Sequence, residues 1–157
     1  MATAIFFASS TGNSEEIANK IASKLGDIEV FDLAGTKIEK INNYDKIILG
    51  GSTWGDGELN DDWEDVWGNF CKLDLSNKTI ALFGLGDQES YSDEFCSALG
   101  IIYEQVISKG AKIVGFTSID TYTHDGSKAQ IDDKFVGLVI DEDNQSDLTD
   151  ERITNWI

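Results

Sequence analysis

The stretch Phe6-Phe7-Ala8-Ser9-Ser10-Thr11-Gly12-Asn13-Ser14 stands between two different periodicities. Ahead of it runs an apolar segment, Ala4 to Ala8, that reads as a buried strand. Behind it, Ile17, Ala18, Ile21, Ala22 and Leu25 fall on one face of an amphipathic helix. A helix N-terminus offers unpaired N–H groups and a partial positive charge, so a phosphate placed there meets ready donors. Gly12 permits φ > 0 and a close approach of backbone to ligand. Ser9, Ser10, Thr11 and Ser14 add hydroxyl donors. No Lys or Arg occurs between Met1 and Asn19, so the turn lacks the lysine of a nucleoside triphosphate loop, and it is not the Gly-x-Gly-x-x-Gly dinucleotide pattern. It suits a monophosphate held by amides and hydroxyls without a counter-charge. It suits equally an ordinary Ser/Thr-rich turn with Ser14 as a helix cap.

Working outward, 157 residues predict one domain spanning 1–157 with a single sizeable core. Hydrophobic residues make up 41%, which excludes a disordered chain. Twelve basic against 29 acidic residues give a net charge of −17. That argues against nucleic acid and anionic membranes as partners and favours basic proteins. No apolar run approaches the roughly 20 residues that span a bilayer, and no basic n-region precedes an apolar h-region, so a cytoplasmic protein is expected. Cys71 and Cys96 have no Cys-x-x-Cys or His companion and read as helix residues rather than a redox pair or metal site. His124, the only histidine, falls in a loop and is discounted for catalysis.

Strand-like and helical patterns alternate. Strands are expected at Ala2–Ala8, Ile28–Leu33, Lys46–Gly50 and Thr79–Gly84, with a fifth from Lys112–Thr117 and Phe135–Ile140. Helices are expected at Ser14–Leu25, Asp62–Phe70, Ser92–Lys109 and Leu148–Ile157, with a helical turn near Ile38 and Ile41. Near-continuous apolar strands alternating with helices imply an α/β fold: a doubly wound, five-stranded parallel sheet covered on both faces. Ligands of such sheets bind beyond the carboxyl ends of the strands, at the switch point. Strand three is followed by Gly51-Ser52-Thr53-Trp54-Gly55-Asp56-Gly57-Glu58-Leu59, and strand four by Leu85-Gly86-Asp87-Gln88-Glu89-Ser90-Tyr91. Both segments are acidic and glycine-rich, and each carries one large aromatic. A planar ring held between Trp54 and Tyr91 fits them, each stacking contact contributing on the order of 1 kcal/mol beyond burial. Trp63, Trp67 and Trp156 lie on helical stripes and read as core, whereas Trp54 sits among glycines in a loop.

Together these segments resemble a flavodoxin, the small FMN-binding electron carrier, over essentially the whole chain. Ser9-Ser10-Thr11-Gly12-Asn13-Ser14 is similar to the family's phosphate-loop pattern, with Ser14 in place of the more usual Thr. Thr53 to Leu59 resembles its first flavin loop and Gly84 to Tyr91 its second. An insertion-like stretch from Ser118 to Lys134 and the run Phe135 to Gln145 resemble the long-chain branch, in which the fifth strand is split and the strand order is 2-1-3-4-5. The chain stops at Ile157, where the family's last helix usually continues, so either a short final helix or a trimmed C-terminus is expected. The resemblance implies FMN as cofactor, with Ser9 to Ser14 on its phosphate and Ser52, Thr53 and Trp54 beside the ribityl chain and inner ring face. It places Gly55, Asp56 and Gly57 next to flavin N5, Leu85, Gly86 and Asp87 on the ring edge and pyrimidine, Tyr91 on the outer face and Asp143 near the ribityl hydroxyls. It implies no catalytic residue of the chain's own and no metal. The implied partners are NAD(P)H-dependent flavodoxin reductases, 2-oxoacid oxidoreductases and nitrogenase-type acceptors.

Two tunings of a flavin follow from the residues. Gly55 can turn its peptide toward N5 when one electron and a proton arrive. Asp56, Glu58 and Asp87 oppose the negative charge of the second electron. One carboxylate about 7 Å away at an effective dielectric of about 20 costs roughly 2 kcal/mol, on the order of 100 mV for a one-electron couple. A low-potential one-electron shuttle results. An FMN-dependent quinone or nitro reductase on the same fold is the alternative; it needs an open pocket over the ring. A receiver domain would need acids where Ser9 and Ser10 stand. A domain cut from a larger diflavin reductase is disfavoured by Met1 opening directly onto strand one. No helix stripe is left over for an interface, so a monomer is expected.

Overall fold

The structure, a computed structural model, describes residues 3–8, 13–26, 28–33, 37–54, 58–59, 61–76, 78–85, 97–118, 127, 129–131, 134–141 and 145–156. For 13–14, 52–54, 58–59, 61–62, 97–98, 146 and 155 it describes the backbone alone.

The apolar run at the N-terminus forms strand β1 (Thr3–Phe7), and the stripe behind it forms helix α1 (Asn13–Leu25). Strand β2 (Glu29–Asp32) and a 3-10 helix (Ile38–Asn43) lead to β3 (Lys46–Trp54). A short β4 (Glu58–Leu59) folds back antiparallel on Thr53 and Trp54, and helix α2 (Asp61–Phe70) follows. Strand β5 (Thr79–Leu85), helix α3 (Ser97–Ser108) and β6 (Lys112–Val114) come next. The short strands β7 (Thr117–Ser118), β8 (Gln130–Ile131) and β9 (Lys134–Phe135) precede β10 (Leu138–Ile140). A 3-10 turn (Ser146–Leu148) then runs into helix α4 (Thr149–Trp156).

Strands β2, β1, β3 and β5 lie side by side, all parallel. The fifth place is shared. β6 pairs with Thr79–Ala81 of β5, and β10 pairs with Phe83–Leu85 of the same strand. The expected split of the fifth strand is therefore present. Gly137 lies so close to β5 that an added Cβ would sit 2.1 Å from the carbonyl oxygen of Leu82. The Thr117 hydroxyl donates to the Gly137 carbonyl at 2.6 Å. Thr117 and Phe135, expected at the inner ends of the fifth strand's two segments, instead pair with each other across β7 and β9 in a separate three-stranded antiparallel sheet. A chain entering at an insertion has to leave the parallel ladder, and the separate sheet satisfies its backbone groups.

Alternate side chains of each strand point to opposite faces, as the pleat requires. Ala4, Phe6, Ala8, Ile47, Leu49, Ile80, Leu82 and Val139 meet α2, α3 and the 3-10 helix through Trp63, Phe70, Leu99, Ile102, Val106, Ile38 and Ile41. Ile5, Phe7, Ile48, Phe83, Leu85, Leu138 and Ile140 meet α1 and α4 through Ile17, Ala18, Ile21, Ala22 and Ile153. This division follows from right-handed crossovers: the chain leaves β1 one way to reach β2 and travels the opposite way through β3 to β5. The glycine pair in β3 marks where the layers are thinnest. An added Cβ at Gly50 would meet the Phe83 ring at 2.0 Å on one face, and at Gly51 the Trp63 indole at 2.8 Å on the other.

Candidate functional site at the sheet's switch point

β1 and β3 diverge at the carboxyl end of the sheet. Their ladder ends with Phe7 opposite Gly50, and the Ala8 amide then donates to the Gly50 carbonyl at 3.1 Å. On the other side of β1, the Leu33 amide donates to the Phe7 carbonyl at 2.8 Å. β3 continues past this point along β5, Gly51 opposite Gly84 and Ser52 opposite Leu85, and then turns to pair with β4. The carboxyl ends of β1, β3 and β5 thus form one rim, and the crevice between β1 and β3 is the topological switch point of the sheet.

Each expected binding segment leaves from that rim. Asn13 and Ser14 form the first turn of α1, where amides lack helical acceptors. The path from Ala8 to Asn13 carries Ser9, Ser10, Thr11 and Gly12, which lie outside the described residues. Ser52, Thr53 and Trp54 were expected in a loop; they are the last residues of β3, with Thr53 opposite Leu59 and Trp54 opposite Glu58. The polar sequence hides this because Thr53 and Trp54 take their partner from a strand of only two residues. Leu85 ends β5 and is buried. Gly55, Asp56, Gly57, Gly86, Asp87, Tyr91 and Asp143 lie outside the described residues, as do Cys96 and His124. Cys71, expected within a helix, sits half-buried in the turn after α2.

Two rim residues escaped the sequence reading. Asp141 follows β10 and is fully buried, with its carbonyl accepting from the Gln145 amide at 2.9 Å. Trp63, read as a core aromatic, is fully buried, and its indole N–H donates to the Gly50 carbonyl at 2.9 Å. The Gly50-Gly51 pair beside a downstream Trp was the available signal. Among the described residues no helix is long and apolar enough to cross a membrane.

A family model described as flavodoxin matches residues 5–156. A flavodoxin from Helicobacter pylori is 49% identical over 153 residues, covering 98% of this chain and 92% of its own length. One from a Picosynechococcus species is 46% identical over 156 residues, covering 98% and 92%. Among solved structures, a Fusobacterium nucleatum flavodoxin bound to flavin mononucleotide superposes with a TM-score of 0.92 at 32% identity, covering 99% of this chain and 95% of that one.

Proposed function

The chain belongs to the flavodoxin family, and from that premise we propose that it is an FMN-dependent electron carrier rather than an enzyme. It forms one domain over 1–157 and works as a low-potential, one-electron shuttle. The observation that carries the reading is the rim itself: the ends of β1, β3 and β5 converge at the switch point, and α1 starts there.

The donor set suits a phosphate monoester. Ser9, Ser10, Thr11 and Ser14 would supply hydroxyls, Gly12 and Asn13 would supply backbone amides, and the first turn of α1 would supply the positive end of a helix dipole. No basic residue lies from Met1 to Asn19, so binding here relies on amides and hydroxyls and is weaker for free phosphate than for a phosphate tethered to a larger ligand. Ser52, Thr53 and Trp54 would border the ribityl chain and the inner ring face, and Tyr91 would cover the outer face. Leu85, Gly86 and Asp87 would meet the ring edge, and Asp143 would lie near the ribityl hydroxyls.

FMN, when bound, supplies the redox chemistry; the residues set its potentials. Gly55 has no Cβ and would let the peptide it shares with Asp56 turn toward the bound ring. Asp56, Glu58 and Asp87 make each added negative charge costly, which lowers the second potential. Basic-faced redox proteins are the proposed partners, with the NAD(P)H-dependent reductases and 2-oxoacid oxidoreductases of the family as the classes to try first.

Titration with dithionite, followed by absorbance, tests this reading. Flavin absorbance passing through a long-wavelength band near half reduction before bleaching is the expected result. Direct bleaching would turn the assignment toward two-electron chemistry. A protein that takes up no added FMN would overturn it.

A further inference from the structure

The carbonyl oxygen of Gly50 is shared by three segments of the rim. It accepts from the Ala8 amide at 3.1 Å and from the Trp63 indole N–H at 2.9 Å, using both of a carbonyl's acceptor positions. Ala8 is the root of the segment running through Ser9 to Ser14. Gly50 is the root of the segment running through Ser52 to Gly57. Trp63 belongs to α2, the helix into which that second segment returns after β4. The indole has little freedom. It is fully buried, its ring stands edge-on to Phe70 at 5.4 Å and to Trp67 at 6.3 Å, and Gly51 leaves room for nothing larger than hydrogen beside it.

We propose that Trp63 is a positioning residue for the bound cofactor, fixing the separation between the phosphate-binding segment and the ring-binding segment through the Gly50 carbonyl. The inference rests on the FMN reading above. A ligand with two anchors gains from both at once only when the protein holds them at the spacing the ligand spans; the gain is an effective concentration and falls as that spacing loosens. A residue that merely supports the core would, when altered, weaken one-anchor and two-anchor ligands by the same factor. Trp63 should weaken them unequally.

The experiment measures dissociation constants of FMN and of riboflavin, which lacks the phosphate, for the full chain and for Trp63→Phe. The phenyl ring keeps the apolar contact and removes the N–H, and the Gly50 carbonyl keeps its bond from Ala8. The ratio of the riboflavin constant to the FMN constant should fall by about fivefold in the variant. Gly51→Ala, which crowds the indole without removing it, should lower the ratio in the same direction and serves if Trp63→Phe does not fold. A ratio unchanged within twofold in every variant that folds, or failure of both to fold, overturns the positioning role. Failure of the unaltered chain to bind either flavin overturns the FMN reading instead, and this inference with it.

Discussion

Tyr44 donates its hydroxyl hydrogen to the Glu29 carboxylate and packs edge-on to Phe6 at 6.0 Å, while Phe6 stacks on Phe31 at 5.0 Å. The hydrogen bond to Glu29, then burial, then the negative charge of Glu29 push the phenol from its ordinary value of 10.0 up to about 12. A folded-state value above the unfolded one means that this stability is fully present below pH 10 and lost as pH rises through 12. Tyr44→Phe should therefore flatten the fall in unfolding free energy between pH 10 and 12, measured by urea unfolding at fixed pH; an unchanged slope would contradict the assignment. At the same scale, Gly50→Ala forces a Cβ to within 2.0 Å of the Phe83 ring. Overpacking of this kind costs about 1–3 kcal/mol. Adding Phe83→Leu should recover part of that loss, because the two positions face each other across β3 and β5. Denaturant midpoints of the two single variants and the double variant check the coupling.

Among the elements, the divided fifth strand is the most exposed to substitution. β10 contributes Leu138, Val139 and Ile140 to both faces of the core, yet its approach to β5 depends on Gly137. There the atom an added Cβ would meet is the backbone oxygen of Leu82, which cannot swing away as a side chain does. Gly137→Ala should cost more than Gly50→Ala, at least about 3 kcal/mol, and should release the amides of 138–140 to hydrogen exchange ahead of those in β1. Equal protection in the two strands would refute this. α4 closes the same region from the other end: the Trp156 indole N–H donates to the Gly115 carbonyl at 2.8 Å, and Lys20 of α1 reaches Asp150 at 3.2 Å. The buried-side indole bond is worth about 1 kcal/mol. The ion pair is solvent-exposed and contributes little, so Trp156→Phe should lower Tm by more than Lys20→Ala.

For the whole molecule the net charge of −17 dominates. A field of that size steers basic partners and is screened beyond about 8 Å at physiological salt. Electron transfer from the reduced, FMN-loaded protein to a basic haem protein should slow by about tenfold or more between low and high salt. Transfer to a neutral small oxidant should change little, and equal salt dependence for both would remove the steering argument. The apolar side chains left exposed among the described residues include Val114, Phe116 and Ile131, all from the fifth strand or its insertion.

What the sequence determined by itself was the order of elements and the side on which each buries its apolar residues. Continuous apolar runs such as Ala4 to Ala8 and period-3.6 stripes such as Ile17 to Leu25 are local, and burial acts on them wherever they are placed. The expected helices at Ser14–Leu25 and Asp62–Phe70 are found within one residue of their bounds, and the glycine-rich, acidic segments correctly pointed to the ends of β3 and β5. Tertiary structure alone decided three things. β3 runs on to Trp54 because a two-residue strand comes back to pair with it. The second half of the fifth strand starts just after Gly137, where β5 lies too near for any side chain. Trp63 belongs to the rim because one carbonyl, far from it in sequence, accepts its hydrogen bond. The first is a short return of the chain and the other two join segments well separated in sequence, and no local pattern of side chains records how closely such segments approach.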